Sequence, residues 1–241
     1  MDFLASIRRD SDLFYATADD ADPTLGVPSC PGWTIEDLVG HLGEVHWFWG
    51  TDIEMRATDP GSVEAAKPAR PAGYQELVSW GRAQASRMVS ILEQSDDATM
   101  VWTWSPPHQT VGFVRRHQVQ EAAVHRWDIQ HAATEASPEP IDPDVASDSI
   151  DELLAVTLPW GVSDQKPLPG PVHIHCTDTE GEWFIQPDGK VEPIHAKGDV
   201  ALRGTASDLL LAAFERIGID DLDVIGNEAL ARELIERINT E

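Results

Sequence analysis

Residues 118–128 read QVQEAAVHRWD, and Glu121 and His125 stand one helical turn apart in that stretch. At that spacing a carboxylate oxygen and an imidazole nitrogen can converge on a single cation. At about 100° per residue, Val114, His117, Gln118, Glu121, His125, Asp128 and Ala132 share one narrow sector of a helix. Val111, Ala122 and Ile129 border that sector on one side, Phe113 and Val124 on the other. A solvated face would not be bordered by apolar residues on both sides. The polar stripe is therefore expected to point inward, where a bare carboxylate costs several kcal/mol unless it is paired, protonated or bound to metal. An E-x-x-x-H spacing alone also arises by chance; the flanked stripe is what favours ligands.

A third ligand must come from another helix, and HLGEVH, residues 41–46, is the best supply. His41 and His46 lie on opposite borders of a face centred on Leu38, Leu42, Val45 and Trp49. Periodicity does not choose between them, and they are too far apart around the helix to meet one ion comfortably. Cys30 precedes Pro31 and Gly32 in a turn, with no cation nearby in sequence to lower its pKa, and reads as a structural thiol. Cys176, beside His173 and His175, reads as core or surface. His173, His175 and His195 could in principle form a second metal site, but three histidines on β-rich runs are more often unrelated to one another, and that is the expectation.

The elements that must position these groups follow from pattern and punctuation. A first helix runs from Asp2 to about Thr17, and a second opens at Thr34, where Thr34 and Asp37 form a capping-box signature. Residues 58–73, rich in Pro, Gly and Ala, read as a long connection. GYQELVSWGRAQASRMVSILEQ is a third helix, and roughly Thr110 to Glu135 a fourth. Four such helices make a bundle. Composition shifts at SPEPIDPD, residues 137–144, and VASDSIDELLAVTLPW reads as one further helix. The period then changes from helical to alternating: VHIHC, EWFIQ, VEPIH and VALRG predict an antiparallel sheet, followed by a helix in TASDLLLAAFERIG, a short strand in LDVIG and a closing helix in NEALARELIERI.

The 17 basic and 42 acidic residues give a formal net charge of -25, which argues against nucleic acid or anionic lipid as a partner. Two cysteines give no disulfide framework, and the first thirty residues lack the order of a signal peptide. No apolar run approaches the roughly 20 residues of a membrane span. The expectation is a cytoplasmic chain without membrane contact. Of nine tryptophans, Trp33, Trp47, Trp49, Trp80, Trp102, Trp104, Trp127 and Trp160 fall in the first two thirds, lining a pocket or filling helix contacts.

CPGWTIEDLVGHLGEVHWFW together with EAAVHRWDIQHA resembles the mycothiol-dependent maleylpyruvate isomerase family, among the DinB-like metal-dependent four-helix-bundle enzymes. ALRGTASDLLLAAFERIG followed by DVIGNEAL is similar to that family's small C-terminal domain, itself resembling sterol-carrier folds. The resemblance spans nearly the whole chain. It implies a DinB-like helical bundle over 1–140, then a helix linker and small α+β domain over 141–241. It selects His41, the histidine of D-L-V-x-H-L, to join Glu121 and His125 as ligands of zinc or another divalent metal, and leaves His46 as a packed bystander. Asp128 would orient His125 or carry a proton. Arg203 and Arg216 match family positions, and Arg203 is favoured to hold an anionic substrate. Family members often carry Arg where His117 stands and His where Gln120 stands, which puts the original isomerase substrate in question.

Two His and one Glu leave coordination positions open, as a catalytic site requires. The resemblance implies that mycothiol enters there, so that the partners are a low-molecular-weight thiol and a small electrophile. In an isomerase the thiolate adds to a conjugated cis double bond, the bond rotates, and elimination returns the thiol; in a thiol S-transferase the thiolate stays attached. A hydrolase activating water, or a non-catalytic small-molecule binding module, are the alternatives. The assembly is expected to be a monomer or homodimer.

Overall fold

Thr34 accepts a hydrogen bond from the Asp37 backbone amide while the Asp37 carboxylate accepts from the Thr34 amide, so the expected capping box starts the helix that carries His41. The computed structural model describes residues 1–134, 137–163 and 166–238. It divides into two compact units, Met1–Glu139 and Pro140–Glu241.

In the first unit, α1 (Phe3–Asp20), α2 (Ile35–Met55), α4 (Tyr74–Gln94) and α5 (Val111–Ala133) form the bundle; α2 packs mainly on α4, and α1 on α5. Helix α1 runs about a turn further than its apolar pattern, starting at Asp2, whose carboxylate caps the Ala5 amide. The connection expected over 58–73 contains a short helix, α3 (Pro60–Glu64), started by Asp59 as cap and Pro60 in the first turn. Five residues are too few to display a period. The fourth helix of the bundle ends at Ala133; Glu135, where the expected helix stopped, lies outside the described residues.

Phe14, Tyr15, Leu38, Leu42, Leu77 and Ile129 build the bundle core. Helices α2 and α4 meet almost backbone to backbone. A Cβ on Gly43 would lie 2.7 Å from the Trp80 ring and 3.1 Å from the Gly81 Cα, and one on Gly81 would lie 2.8 Å from the Tyr15 ring. Above this core an aromatic run links Trp102, stacked on Trp49 at 6.1 Å, to Trp104 and from there to His117 at 4.4 Å.

In the second unit the helix expected over 145–160 is three pieces: α6 (Pro143–Glu152), a π-helical turn (Leu153–Thr157) and α7 (Leu158–Ser163). The sheet comprises β1 (Val172–Cys176), β2 (Glu182–Ile185), β3 (Val191–Glu192), β4 (Val200–Gly204) and β5 (Asp223–Gly226), in the order β3-β2-β1-β4-β5. It is mixed, not antiparallel: β1 and β4 run parallel, and every other pair is antiparallel. Alternation of side chains reports which face is buried and carries no information on strand direction. Of VEPIH only two residues pair, because Pro193 offers no amide to continue the ladder.

One sheet face, with Val172, Ile174, Cys176, Trp183, Ile185, Val200 and Leu202, is buried. Helices α8 (Ala206–Ala213) and α9 (Glu228–Ile238) pack on β4. The opposite face carries His173, His175, Glu182, Arg203 and Asp223.

Candidate metal centre

The inward stripe of α5 is buried as its flanking residues require: Gln118 and Asp128 are fully enclosed, and the Glu121 and His125 side chains are 18% and 10% exposed. Helix α2 brings His41 to them. One ligand atom from each of His41, Glu121 and His125 lies within 4.8 Å of the other two. His125 Nε2 is 3.5 Å from Glu121 Oε2, and the His41 ring meets the His125 ring edge to face at 5.0 Å. Trp33, from the turn before α2, packs against the other side of His41 at 4.9 Å. His46 turns instead toward Tyr15, whose hydroxyl is 3.5 Å from its Nδ1, and is wholly buried.

Four groups outside the trio fix its orientation. Asp128 Oδ2 accepts from His125 Nδ1 at 2.9 Å, which leaves Nε2 facing Glu121. Ser29 Oγ donates to Asp128 Oδ1 at 2.6 Å, and Cys30 Sγ lies 3.9 Å from Oδ2. His117 Nε2 lies 3.2 Å from Glu121 Oε1, so that carboxylate is held between two imidazoles. Sequence reasoning placed His117 on the stripe but gave it no task, and missed Ser29 altogether; no periodicity marks a turn residue 99 positions from its partner.

The electrostatics suit a cation. Burial alone would raise the Glu121 pKa, but hydrogen bonds from His117 and His125 and their charge hold it well below the usual carboxylate range. Burial, and then repulsion from His125, push His41 down to about 4, leaving its imidazole neutral with a lone pair to give. Burial also works against charge on His125, yet the hydrogen bonds and charges of Asp128 and Glu121 prevail and hold it up at about 9. The pocket thus favours positive charge between Glu121 and Asp128. Two imidazoles and an ionised carboxylate are the donor set of an open zinc-type site, and the residues fit such an ion.

Arg203 projects from β4 and pairs with Asp223 at 3.3 Å, while Arg216 donates to the Phe214 carbonyl and lies over the Phe214 ring. The three sheet histidines are not unrelated. All of them meet Glu182, because His173 and His175 share one face of β1, Glu182 lies opposite His175 on β2, and the chain after β3 brings His195 back.

Two family models cover most of the chain: the mycothiol maleylpyruvate isomerase N-terminal domain over residues 4–130, and the C-terminal domain of the same family over 143–233. The chain belongs to the mycothiol maleylpyruvate isomerase family. The crystal structure of the mycothiol-dependent maleylpyruvate isomerase is similar at a TM-score of 0.63 and 11% identity, covering 92% of this chain and 91% of that one. A histidine-to-alanine mutant of the mycothiol-dependent maleylpyruvate isomerase gives 0.61 and 12%, with the same coverage. Sterol carrier protein 2 like 2 from Aedes aegypti aligns with 36% of this chain and 94% of its own, at a TM-score of 0.29 and 17% identity. No protein of curated function matches by sequence. At these identities the two isomerase structures speak for the fold: a helical bundle followed by a small mixed-sheet domain. Among the described residues no helix is long and apolar enough to cross a membrane.

Proposed function

We propose that this member of the family is a divalent-metal- and mycothiol-dependent isomerase of the maleylpyruvate type, with His41, Glu121 and His125 holding the metal and zinc as the ion. The observation that carries this reading is the convergence of those three side chains from two helices, with Asp128 buried behind them. When bound, the ion lowers the pKa of a coordinating thiol, so that its thiolate is available near neutral pH.

The chain's own residues supply the rest. Asp128 keeps the His125 proton on Nδ1, Ser29 and Cys30 keep Asp128 in place, and His117 braces the outer oxygen of Glu121. Trp33 shields His41 from water on one side, and the Trp49, Trp102 and Trp104 rings give an apolar surface leading to His117. In the second unit Arg203, on β4, is our candidate anion-binding group, the guanidinium fork being suited to a carboxylate.

A thiol S-transferase acting on another electrophile is the second reading, and His117 favours it. The side chain at that position is committed to Glu121 and is not a guanidinium free to bind a substrate carboxylate. Metal-loaded protein is to be assayed with maleylpyruvate, with and without mycothiol, following the cis and trans products by NMR. Isomerisation that needs both thiol and metal, and is lost in His125→Ala, supports the proposal. Thiol consumption with formation of a stable adduct supports the transferase; turnover without any thiol excludes both and leaves water activation.

A further inference from the structure

The second unit carries a convergence of imidazoles for which the reading above has no use. Glu182 Oε1 is approached by His195 Nδ1 at 2.5 Å, His175 Nδ1 at 2.8 Å and His173 Nε2 at 3.4 Å. Ligand atoms of His173, His175 and Glu182 all lie within 4.8 Å of one another. The histidine ring centroids are 5.0 to 6.5 Å apart.

Hydrogen bonding does not account for this arrangement. A carboxylate oxygen has two lone pairs, and three imidazoles crowd this one. His173 is the telling member. Its side chain is only 8% exposed, its Nε2 is buried, and that atom makes no hydrogen bond although it faces the cluster. Leaving a buried nitrogen without a partner destabilises the fold. Three protonated imidazoles would repel one another around a single negative charge. A divalent cation resolves the crowding, because every group in the cluster then acts as a lone-pair donor.

We propose that His173, His175, Glu182 and His195 form a second divalent transition-metal site on the polar face of the sheet, separate from the trio on α2 and α5. Imidazole-rich donors select zinc, copper, nickel or cobalt over magnesium and calcium. Three imidazoles and one carboxylate complete a tetrahedral set, the closed form characteristic of a structural ion. The site ties β1 to β2 and to the chain following β3. His195, with its side chain 78% exposed, is the ligand through which the ion is loaded from solvent.

Cobalt(II), whose tetrahedral complexes absorb strongly in the visible, is the probe, titrated into the full metal-stripped chain together with a parallel zinc titration. The parent should take up two equivalents. His41→Ala/His125→Ala should retain one, with a tetrahedral spectrum. In that background, His175→Ala or Glu182→Gln should weaken the remaining equivalent more than about 100-fold, beyond the loss typical of an outer partner. His195→Ala, altering an exposed side chain that the fold does not need, should also weaken it and shift the spectrum. If the His41→Ala/His125→Ala protein takes up no ion, or if its uptake is indifferent to His195→Ala while circular dichroism shows an intact fold, the proposal is wrong. Failure here leaves the helical site untouched, since that site is read from the loss of isomerisation in His125→Ala.

Discussion

His125 donates its Nδ1 proton to Asp128, one helical turn further along α5, across 2.9 Å in a region closed to solvent. A buried carboxylate in this position fixes the imidazole tautomer and raises its basicity as a ligand. Replacing Asp128 with Asn keeps the shape but removes the charge. Zinc affinity of the helical site should fall by about 10- to 100-fold in Asp128→Asn, measured by competition with a chromophoric chelator. An unchanged affinity would mean that Asp128 serves only packing.

The choice between His41 and His46 separates the two imidazoles of α2 by experiment. His41→Ala should remove the helical-site equivalent of zinc with little change in the helical signal of circular dichroism, because its ring is partly exposed. His46→Gln should keep that ion but lower stability, since His46 is enclosed against Tyr15.

Stability should depend on pH through two buried groups of α2 that act in opposite senses. Burial pushes Asp52 from 3.8 up to about 7, so above pH 4 the unfolded chain releases a proton that the folded chain keeps; stability is lost as pH rises toward 7. Burial pushes His46 from 6.5 down to about 3, so below pH 6.5 the unfolded chain takes up a proton that the folded chain refuses; stability is lost as pH falls. Between pH 4 and 6.5 the two slopes oppose each other. Asp52→Asn should therefore gain stability relative to the parent as pH rises, by up to roughly 4 kcal/mol at pH 8, and should unmask the acid-side loss from His46. Urea unfolding at pH 4.5, 6 and 8 checks both signs.

Arg126, 2% exposed, donates from Nε to the fully buried Asp10 at 3.2 Å, joining α5 to α1. Arg126 also reaches Gln130 and the Glu139 carbonyl, and Arg9 meets Asp10 from outside. Asp10→Ala takes the carboxylate away from a buried guanidinium, and should cost about 3–5 kcal/mol by chemical denaturation. A smaller loss would show that Gln130 and Glu139 suffice to hold the charge.

How much of this was legible in the sequence depends on the range over which each feature is encoded. The stripe from Gln118 to Asp128 was readable because one helix carries both the candidate ligands and the apolar borders that turn them inward. The capping box at Thr34 was equally local. His41 against His46 was not readable from pattern, since both sit at the margin of the same face and only the approach of α5 distinguishes them; family likeness supplied that choice. The parallel pairing of β1 with β4 was hidden because alternation is the same in either direction. The cluster around Glu182 was hidden for a related reason: two of its histidines share a strand face, but His195 follows Pro193 outside any ladder, and only the register of β1 on β2 brings the carboxylate opposite.

Helices α2 and α4 touch where neither has a side chain, at Gly43 and Gly81. Such a joint works as a key in a slot: with no side chain on Gly43 to hold the helices apart, α2 seats closely against Trp80 and Gly81, and His41, two residues along, takes its bearing from that seat. The smallest change able to detune the helical site is then one methyl group at Gly81, on a helix that donates nothing to the ion. Driven against the Tyr15 ring, which itself contacts His46 of α2, it would disturb the seat of that helix while leaving all three candidate donors in the chain.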